Sequence, residues 1–83
     1  MTVMQVTYRT TQQIIVVQPY EKIRDLYNGV RYLFQLISKI LLLDTTKNYI
    51  LDNMELTFNR IYTPEQNIAI KVVPLDHDTT GFT

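Results

Sequence analysis

Apolar residues recur at helical spacing between Pro19 and Asp44, and this segment dominates the pattern of the whole chain. Six of them, spaced alternately three and four positions apart, fall on one side of an α-helix: Ile23, Leu26, Val30, Leu33, Ile37 and Ile40. Pro19 suits the first helical turn, because a proline there leaves no amide hydrogen unpaired. The spacing therefore predicts one long helix over residues 19–44, about 36 Å in length.

The end of this segment also permits a second interpretation. A helix that stops near Ser38 would leave residues 39–43 as a buried parallel strand and give a β-α-β unit. No Gly, Pro or Asn separates the two proposed elements, and this favours a continuous helix. From Leu36 onward the segment is apolar on nearly all sides, which predicts burial on more than one face.

Alternation of apolar and polar residues predicts strands near both ends of the chain. Met4, Val6 and Tyr8 alternate with polar residues, and residues 14–17 form a β-branched run suited to a more buried strand. These two segments predict a hairpin, and one long bent strand over residues 2–18 is the alternative. Residues 68–73 alternate again and form the last predicted strand, which ends at Pro74.

Residues 48–62 carry two competing patterns. Alternation at Met54, Leu56 and Phe58 favours a strand pair with a turn at residues 52–53, whereas a second set is spaced for a helix: Ile50, Met54, Phe58 and Ile61. The strand pair predicts an α+β fold with one long central helix on a small, mostly antiparallel β-sheet, in the order β-β-α-β-β-β. The helix would give β-α-β-α-β instead. Residues 1–74 are predicted to form a single α+β domain, and residues 75–83 a polar C-terminal tail.

Composition narrows the class of protein. The 83 residues are 46% hydrophobic and 19% charged, with a net charge of zero and no cysteine, which is typical of one small globular domain without disulfides. The first residues lack the basic lead and apolar run of a signal peptide, and the most apolar window, residues 30–43, is too short to span a membrane. We therefore expect an intracellular, cytoplasmic protein without a transmembrane segment.

Candidate chemistry is sparse. Asp76, His77 and Asp78 form the one histidine–carboxylate cluster, but adjacent side chains do not easily converge on one ion. Ser38 is the one serine and lacks a glycine-rich elbow, and the two glycines, Gly29 and Gly81, form no phosphate-binding loop. The sequence predicts no enzyme, no metal site and no cofactor.

The long helix points instead to association. A helix of about 36 Å exceeds a small domain, whose radius of gyration is about 12 Å, so part of its apolar surface should meet another molecule. The residues predicted to mediate self-association are Leu36, Ile40, Leu42 and Leu43. The predicted function is a non-enzymatic protein–protein interaction or assembly module, a homo-oligomer that binds a larger complex, of the kind found among phage or plasmid accessory proteins.

Nucleic-acid binding is the alternative function. Four polar residues share one face of the predicted helix and suit contacts with a phosphate backbone: Arg24, Asn28, Arg31 and Gln35. Aromatic residues of the predicted strands would supply stacking surfaces: Tyr8, Tyr49, Phe58 and Tyr62. A net charge of zero favours the protein partner over nucleic acid.

Overall fold

The computed structural model describes residues 1–75, which form one α-helix and five β-strands. In chain order the elements are β1 (Thr2–Tyr8), β2 (Thr11–Val17), α1 (Ile23–Leu33), β3 (Ile40–Asp44), β4 (Tyr49–Ile50), a 3₁₀ turn (Phe58–Arg60) and β5 (Asn67–Pro74). This confirms the α+β class and the predicted order β-β-α-β-β-β, and the alternative order β-α-β-α-β does not occur. Of the predicted tail, residues 76–83 lie outside the described residues, as does the Asp76–Asp78 cluster.

The strands form one mixed sheet in the order β2-β1-β5-β3-β4. β1 and β5 pair in parallel at its centre, and the other three pairings are antiparallel, as the prediction of a mostly antiparallel sheet requires. β1 and β2 form the predicted hairpin rather than one bent strand. Their two-residue connection places Arg9 at φ 58° in the left-handed region, a position that glycine or asparagine usually takes.

The core lies between α1 and one face of the sheet. Ile23, Leu26 and Val30 of α1 are buried, as the helical spacing predicts. They belong to one cluster with side chains from the strands and from the segment before β5: Met4, Val6, Val17, Ile40, Leu42, Leu51, Phe58, Tyr62, Ile68, Ile70 and Val72. The strands contribute alternate residues to this cluster. The residues between them therefore point to the opposite face of the sheet.

The helix is much shorter than the predicted span of residues 19–44. It covers 11 residues, roughly 16 Å, because the chain reverses after Phe34. The N–H of Leu36 donates to the carbonyl of Arg31 (2.8 Å) and the N–H of Gln35 to that of Tyr32 (3.2 Å), which is a Schellman cap. Gln35, at φ 55°, holds the left-handed position of this cap. A helix of this length does not project past its own sheet.

The Arg31 side chain reinforces the end of the helix. Its Nε donates to the carbonyl of Leu36 (3.3 Å) and its Nη2 to that of Ile37 (2.9 Å). Both carbonyls belong to the chain that has just left the helix, so Arg31 fastens the reversed segment to the last turn. These hydrogen bonds offset the conformational free-energy cost of placing Gln35, rather than glycine, in the left-handed region.

Residues 40–44 form strand β3, so their assignment to the helix is wrong. The alternative interpretation is correct in making this segment a buried strand, but β3 runs antiparallel to β5 and not parallel to a neighbour. Ile40, Leu42 and Asp44 face the core and are buried, while Leu41 and Leu43 are half-buried on the other side. A run of five mostly apolar residues is compatible with either a helix or a strand. Here the segment is a strand because it pairs with β5.

The helix begins at Ile23 rather than at Pro19. The N–H of Lys22, just before the helix, donates to Oδ2 of Asp25 (2.9 Å) in the first turn. Two further amides of this turn donate to the loop that follows β4: Ile23 to the carbonyl of Leu56 (2.9 Å) and Arg24 to that of Met54 (3.0 Å). A loop distant in the sequence therefore caps the helix start.

The strand predicted over residues 54–62 is also absent, and the helix proposed as its alternative is reduced to the single 3₁₀ turn. The N–H groups of Phe58 and Asn59 donate to the carbonyls of Glu21 (3.0 Å) and Pro19 (2.9 Å). These bonds tie the segment to the chain before α1 instead of to the sheet. Phe58 and Tyr62 are both buried, at the spacing of one helical turn.

The cap at the end of α1 yields a stability prediction. Gln35→Gly should raise the free energy of unfolding by about 0.5–1 kcal/mol, because glycine adopts φ 55° without a side-chain clash. Asn28→Gly is the matched control, since residue 28 is exposed in the middle of the helix and glycine there should lower stability, by about 0.3–0.5 kcal/mol. Urea unfolding followed by circular dichroism measures both. Equal losses at the two positions would contradict the cap.

Candidate functional site

One face of the sheet is covered by α1, and no other element of residues 1–75 covers the opposite face, which we call the outer face. Strand registers place eight apolar residues on the outer face: Val3, Ile14, Val16, Leu41, Leu43, Ile50, Ala69 and Val73. None of them is fully buried, and Ile14 is 57% exposed. The solvated face of an antiparallel sheet is usually polar, so these apolar residues make the outer face a candidate binding surface.

Four of these residues lie together near the β3–β4 end. Leu43 is opposite Ile50 on one side, and Leu41 is opposite Val73 on the other. We call this group the outer apolar patch: Leu41, Leu43, Ile50 and Val73. Ile50 is 42% exposed and the other three are half-buried. Lys71, opposite Leu43 on β5, is exposed and gives the patch a positively charged neighbour.

A buried carboxylate supports the turn that brings β4 beside the patch. Asp44, at the end of β3, has no exposed surface. Its Oδ1 accepts hydrogen bonds from the backbone N–H groups of Thr46 (2.9 Å) and Lys47 (3.1 Å). Asn48 follows at φ 54°, which asparagine tolerates better than most residues, and the chain then returns as β4. The position of Ile50 thus depends on Asp44.

Tyr62 completes this support from inside the domain. Its hydroxyl donates to Oδ2 of Asp44 at 2.6 Å. Burial raises the pKa of Tyr62 well above its usual value, and the bond to Asp44 raises it further. Lys47 lies over the ring, with Nζ 4.9 Å from the ring centroid, and donates to the carbonyl of Ile61 (3.0 Å). The patch therefore stands on a fixed scaffold.

Comparison with known proteins identifies the fold. No protein-family model matches the sequence, and no curated protein matches it. Among solved structures, the chain is similar to the ubiquitin-like domain of an Arabidopsis thaliana protein, determined by solution NMR, with a TM-score of 0.71. The fold is ubiquitin-like. The match covers 87% of this chain and 74% of that chain at 16% sequence identity, so the likeness is one of fold.

Within this ubiquitin-like fold, the four residues predicted to mediate self-association do not form one surface. Ile40 and Leu42 are buried in the core. Leu36 is half-buried against the core, next to the end of α1. Leu43 alone faces outward, on the outer face of β3. The long-helix surface on which the prediction depended is therefore not present, and self-association itself stays a prediction.

The four residues predicted to contact nucleic acid are also divided. Arg24 and Asn28 are exposed on α1, but Gln35 lies beyond the helix end and is not part of a common face. The guanidinium of Arg24 pairs with Glu55, which also accepts from Nζ of Lys22 (2.9 Å). Arg31 uses its guanidinium for the cap of α1. Both arginines thus already have partners within the domain.

The aromatic residues proposed as stacking surfaces are mostly internal. Phe58 and Tyr62 are buried, and Tyr8 is half-buried with its ring 5.6 Å from that of Phe34. Tyr49 is exposed on β4. One exposed ring does not make the succession of stacking platforms that single-stranded nucleic acids use.

Sequence reasoning did not find Leu41, Ile50 or Val73 as site residues. Leu41 was assigned to the helix, and Ile50 was assigned to a strand without a direction. Alternation over residues 68–73 put Val73 on the face opposite the buried residues but did not mark it as a site residue. Apolar residues fill both faces of β3, so alternation did not separate inward from outward positions there. The excess of apolar residues over what one helix can cover was the available signal.

Other sites are limited. Among residues 1–75, no three His, Cys, Asp or Glu side chains are grouped so that they could hold a metal ion. The helix of the described chain is not long and apolar enough to cross a membrane.

The Asp44–Tyr62 contact yields a prediction with a pH dependence. Tyr62→Phe should lower the free energy of unfolding by about 1–3 kcal/mol at neutral pH, because it leaves a buried carboxylate oxygen without its donor. The folded-state pKa is raised, so this tyrosine's contribution is fully present below about pH 10 and is lost as the unfolded chain ionises above it. Wild-type stability should therefore fall more steeply above about pH 10 than that of Tyr62→Phe.

Tyr32→Phe is the matched control, since Tyr32 is 83% exposed. It should leave the stability at neutral pH unchanged. Guanidinium unfolding at a series of pH values measures all three proteins. The same alkaline slope in wild type and Tyr62→Phe would contradict the assignment.

Proposed function

We propose that this domain is a non-enzymatic protein–protein interaction module that binds a partner protein through the outer apolar patch. The observation that carries the proposal is the patch itself: four apolar residues side by side on the open face of the sheet. Apolar clusters of this kind on small domains are typical of binding sites. The ubiquitin-like fold is common among protein-interaction modules and supports the same proposal.

The surroundings of the patch resemble the organisation of a protein interface. Interfaces combine an apolar centre with a polar rim that remains partly hydrated. Thr7 and Lys71 adjoin the patch on the outer face, and Gln5 follows one step farther along β1. A partner with an apolar contact residue and a nearby carboxylate would match both the patch and Lys71.

The scaffold beneath the patch favours binding without a large rearrangement. Leu41 and Leu43 alternate with buried core residues, and the β3–β4 turn is held by Asp44 and Tyr62. A preformed surface loses little conformational entropy on binding, so less of the interaction free energy is lost to ordering the site. Asp44 and Tyr62 act structurally in this proposal, since each satisfies the other's hydrogen bond.

Other parts of the proposal come from composition. The absence of cysteine suits an intracellular location, where thiols stay reduced. The small size and zero net charge suit a subunit or accessory protein that occupies a surface on a larger complex, the role predicted from the sequence.

The test is partner capture with matched variants. Immobilised wild-type protein should retain a specific set of host proteins, identified by mass spectrometry. Ile50→Asp should lose them, because it places a charge at the most exposed point of the patch. Lys71→Glu should weaken binding through the rim. Asn28→Asp, which adds the same negative charge on the exposed side of α1, should retain them.

Titration of a purified captured protein then measures the effect. We expect Ile50→Asp to raise Kd at least tenfold, or about 1.4 kcal/mol, and Asn28→Asp to leave it unchanged. Chemical shifts of wild-type amides on β3, β4 and β5 should move on binding. Binding that maps to α1, or that survives Ile50→Asp in a folded protein, would disprove the role of the patch.

A further inference from the structure

Strand β2 forms one edge of the sheet and has no described strand on its free side. It is seven residues long, whereas β4 at the opposite edge has two. Its sequence, TQQIIVV, contains no charged residue, no proline and no glycine. Edge strands of monomeric proteins usually carry one of these devices to prevent pairing with another strand. β2 therefore has the length and composition of a strand that pairs.

The backbone of β2 presents its hydrogen-bonding groups to the free edge at alternate residues. The N–H of Val3 donates to the carbonyl of Gln66, on the β5 side of β1, so Val3 does not exchange hydrogen bonds with its β2 neighbour Val16. In an antiparallel ladder such a residue pair directs its N–H and C=O groups away from each other. The groups of Val16 thus point to the free edge, as by alternation do those of Gln12 and Ile14.

We propose that two copies of this chain associate by antiparallel pairing of their β2 strands. In the pairing that best matches apolar side chains, Ile14 lies opposite Val16 of the second copy, and Val16 opposite its Ile14. Both residues have edge-directed backbone groups, so this register forms four hydrogen bonds. It also gathers four β-branched side chains on the outer face, where Ile14 and Val16 are now 57% and 47% exposed.

Charge at the two ends of β2 favours the antiparallel direction. Arg9 lies at the hairpin end and is exposed, and Glu21 follows the other end. Antiparallel pairing brings the hairpin end of each copy beside the Glu21 end of the second copy. A parallel arrangement would instead place like charges together. The edge is thus self-complementary in backbone groups and side-chain size, with Arg9 and Glu21 as one pair of opposite charges.

Association at β2 is separate from the partner binding proposed for the outer apolar patch. In the sheet order, β1 and β5 lie between β2 and β3. Each surface therefore has its own variants: Ile14→Pro for the edge and Ile50→Asp for the patch. Failure of one proposal leaves the other measurable.

The test is amide hydrogen exchange of the full chain by NMR over a concentration series, with mass measured by sedimentation equilibrium. The amides of Ile14 and Val16 should become protected as concentration and mass rise together. Gln13 and Ile15 provide internal controls, because their amides face β1 and should be protected at every concentration. We expect at least tenfold slower exchange at residues 14 and 16 in the dimer.

Two variants test the same edge. Ile14→Pro removes an edge-directed N–H and leaves the bonds to β1 intact, so it should weaken dimerisation at least tenfold. Val16→Lys keeps the backbone hydrogen bonds and adds a positive charge at an exposed position. A symmetric dimer contains this charge twice, so the variant should also weaken dimerisation. Ile14→Val is the matched control and should dimerise as wild type does. Ile50→Asp should also dimerise normally.

Three results would overturn the proposal. One is a wild-type protein that stays monomeric at millimolar concentration with residues 14 and 16 unprotected. Another is protection at these residues that does not vary with concentration, which would mean that the chain covers its own edge. The third is a dimer that both edge variants, shown to be folded by circular dichroism, leave unchanged.

Discussion

The parallel pairing of β1 and β5 is the contact on which the rest of the sheet depends. Among the described strands, β2 pairs with β1 alone, while β3 pairs with β5 and with β4. Without the central pairing, the sheet would separate into a hairpin and a second antiparallel group. The pairing joins residues 3–7 to residues 67–71, so nearly the whole chain must be enclosed between the two strands. That closure costs entropy, which burial of the common core must offset.

Closing the sheet in this way leaves one face that no other described element covers. Residues 9–66 supply one α-helix, and its 11 residues pack on one side of five strands. Polar residues at the outward positions would have been sufficient for solubility. Instead, these positions hold apolar residues: Leu41, Leu43, Ile50 and Val73. Contact of their side chains with water is unfavourable, and the free energy is lowered only when another molecule excludes that water. An apolar sequence on a two-layer fold therefore leaves apolar side chains that residues 1–75 do not cover.

The sequence predicted the class, the element order and the inward face of α1 correctly, because Ile23, Leu26 and Val30 are core residues in a helix. The prediction was wrong after Leu33, where apolar residues keep the helical spacing although the chain has left the helix. Leu33 is 47% exposed and Ile37 is 92% exposed, whereas Ile40 is buried in a strand. The stop signal was hidden because Gln35, not glycine, takes the left-handed position. Hydrogen bonds from the Arg31 side chain stabilise the turn in which Gln35 lies. Side-chain hydrogen bonds of this kind cannot be read from the spacing of apolar residues.

A similar limit applied to residues 54–62. Alternation at Met54, Leu56 and Phe58 is a strand pattern, but carbonyls in this segment accept from the amides that begin α1. Helix ends leave unpaired amides that require some acceptor, and a distant loop provided it here. Which residues of β3 face outward was equally hidden, since both sides of this strand are apolar. The contacts of these residues depend on how the strands are arranged in the sheet. That arrangement is set by the pairing of β1 with β5, which the local sequence does not show.

Pairing at β2 would change what the outer apolar patch can bind. Antiparallel edge pairing about a two-fold axis perpendicular to the sheet keeps both outer faces on the same side. Seven strand intervals then separate β3 from its copy, about 34 Å at 4.8 Å per interval. A partner with two contact sites at that spacing would bind the second site at high effective concentration. Two small patches, each weak alone, would then favour a repetitive or symmetric surface over a single binding protein, which is the selectivity expected of an assembly module.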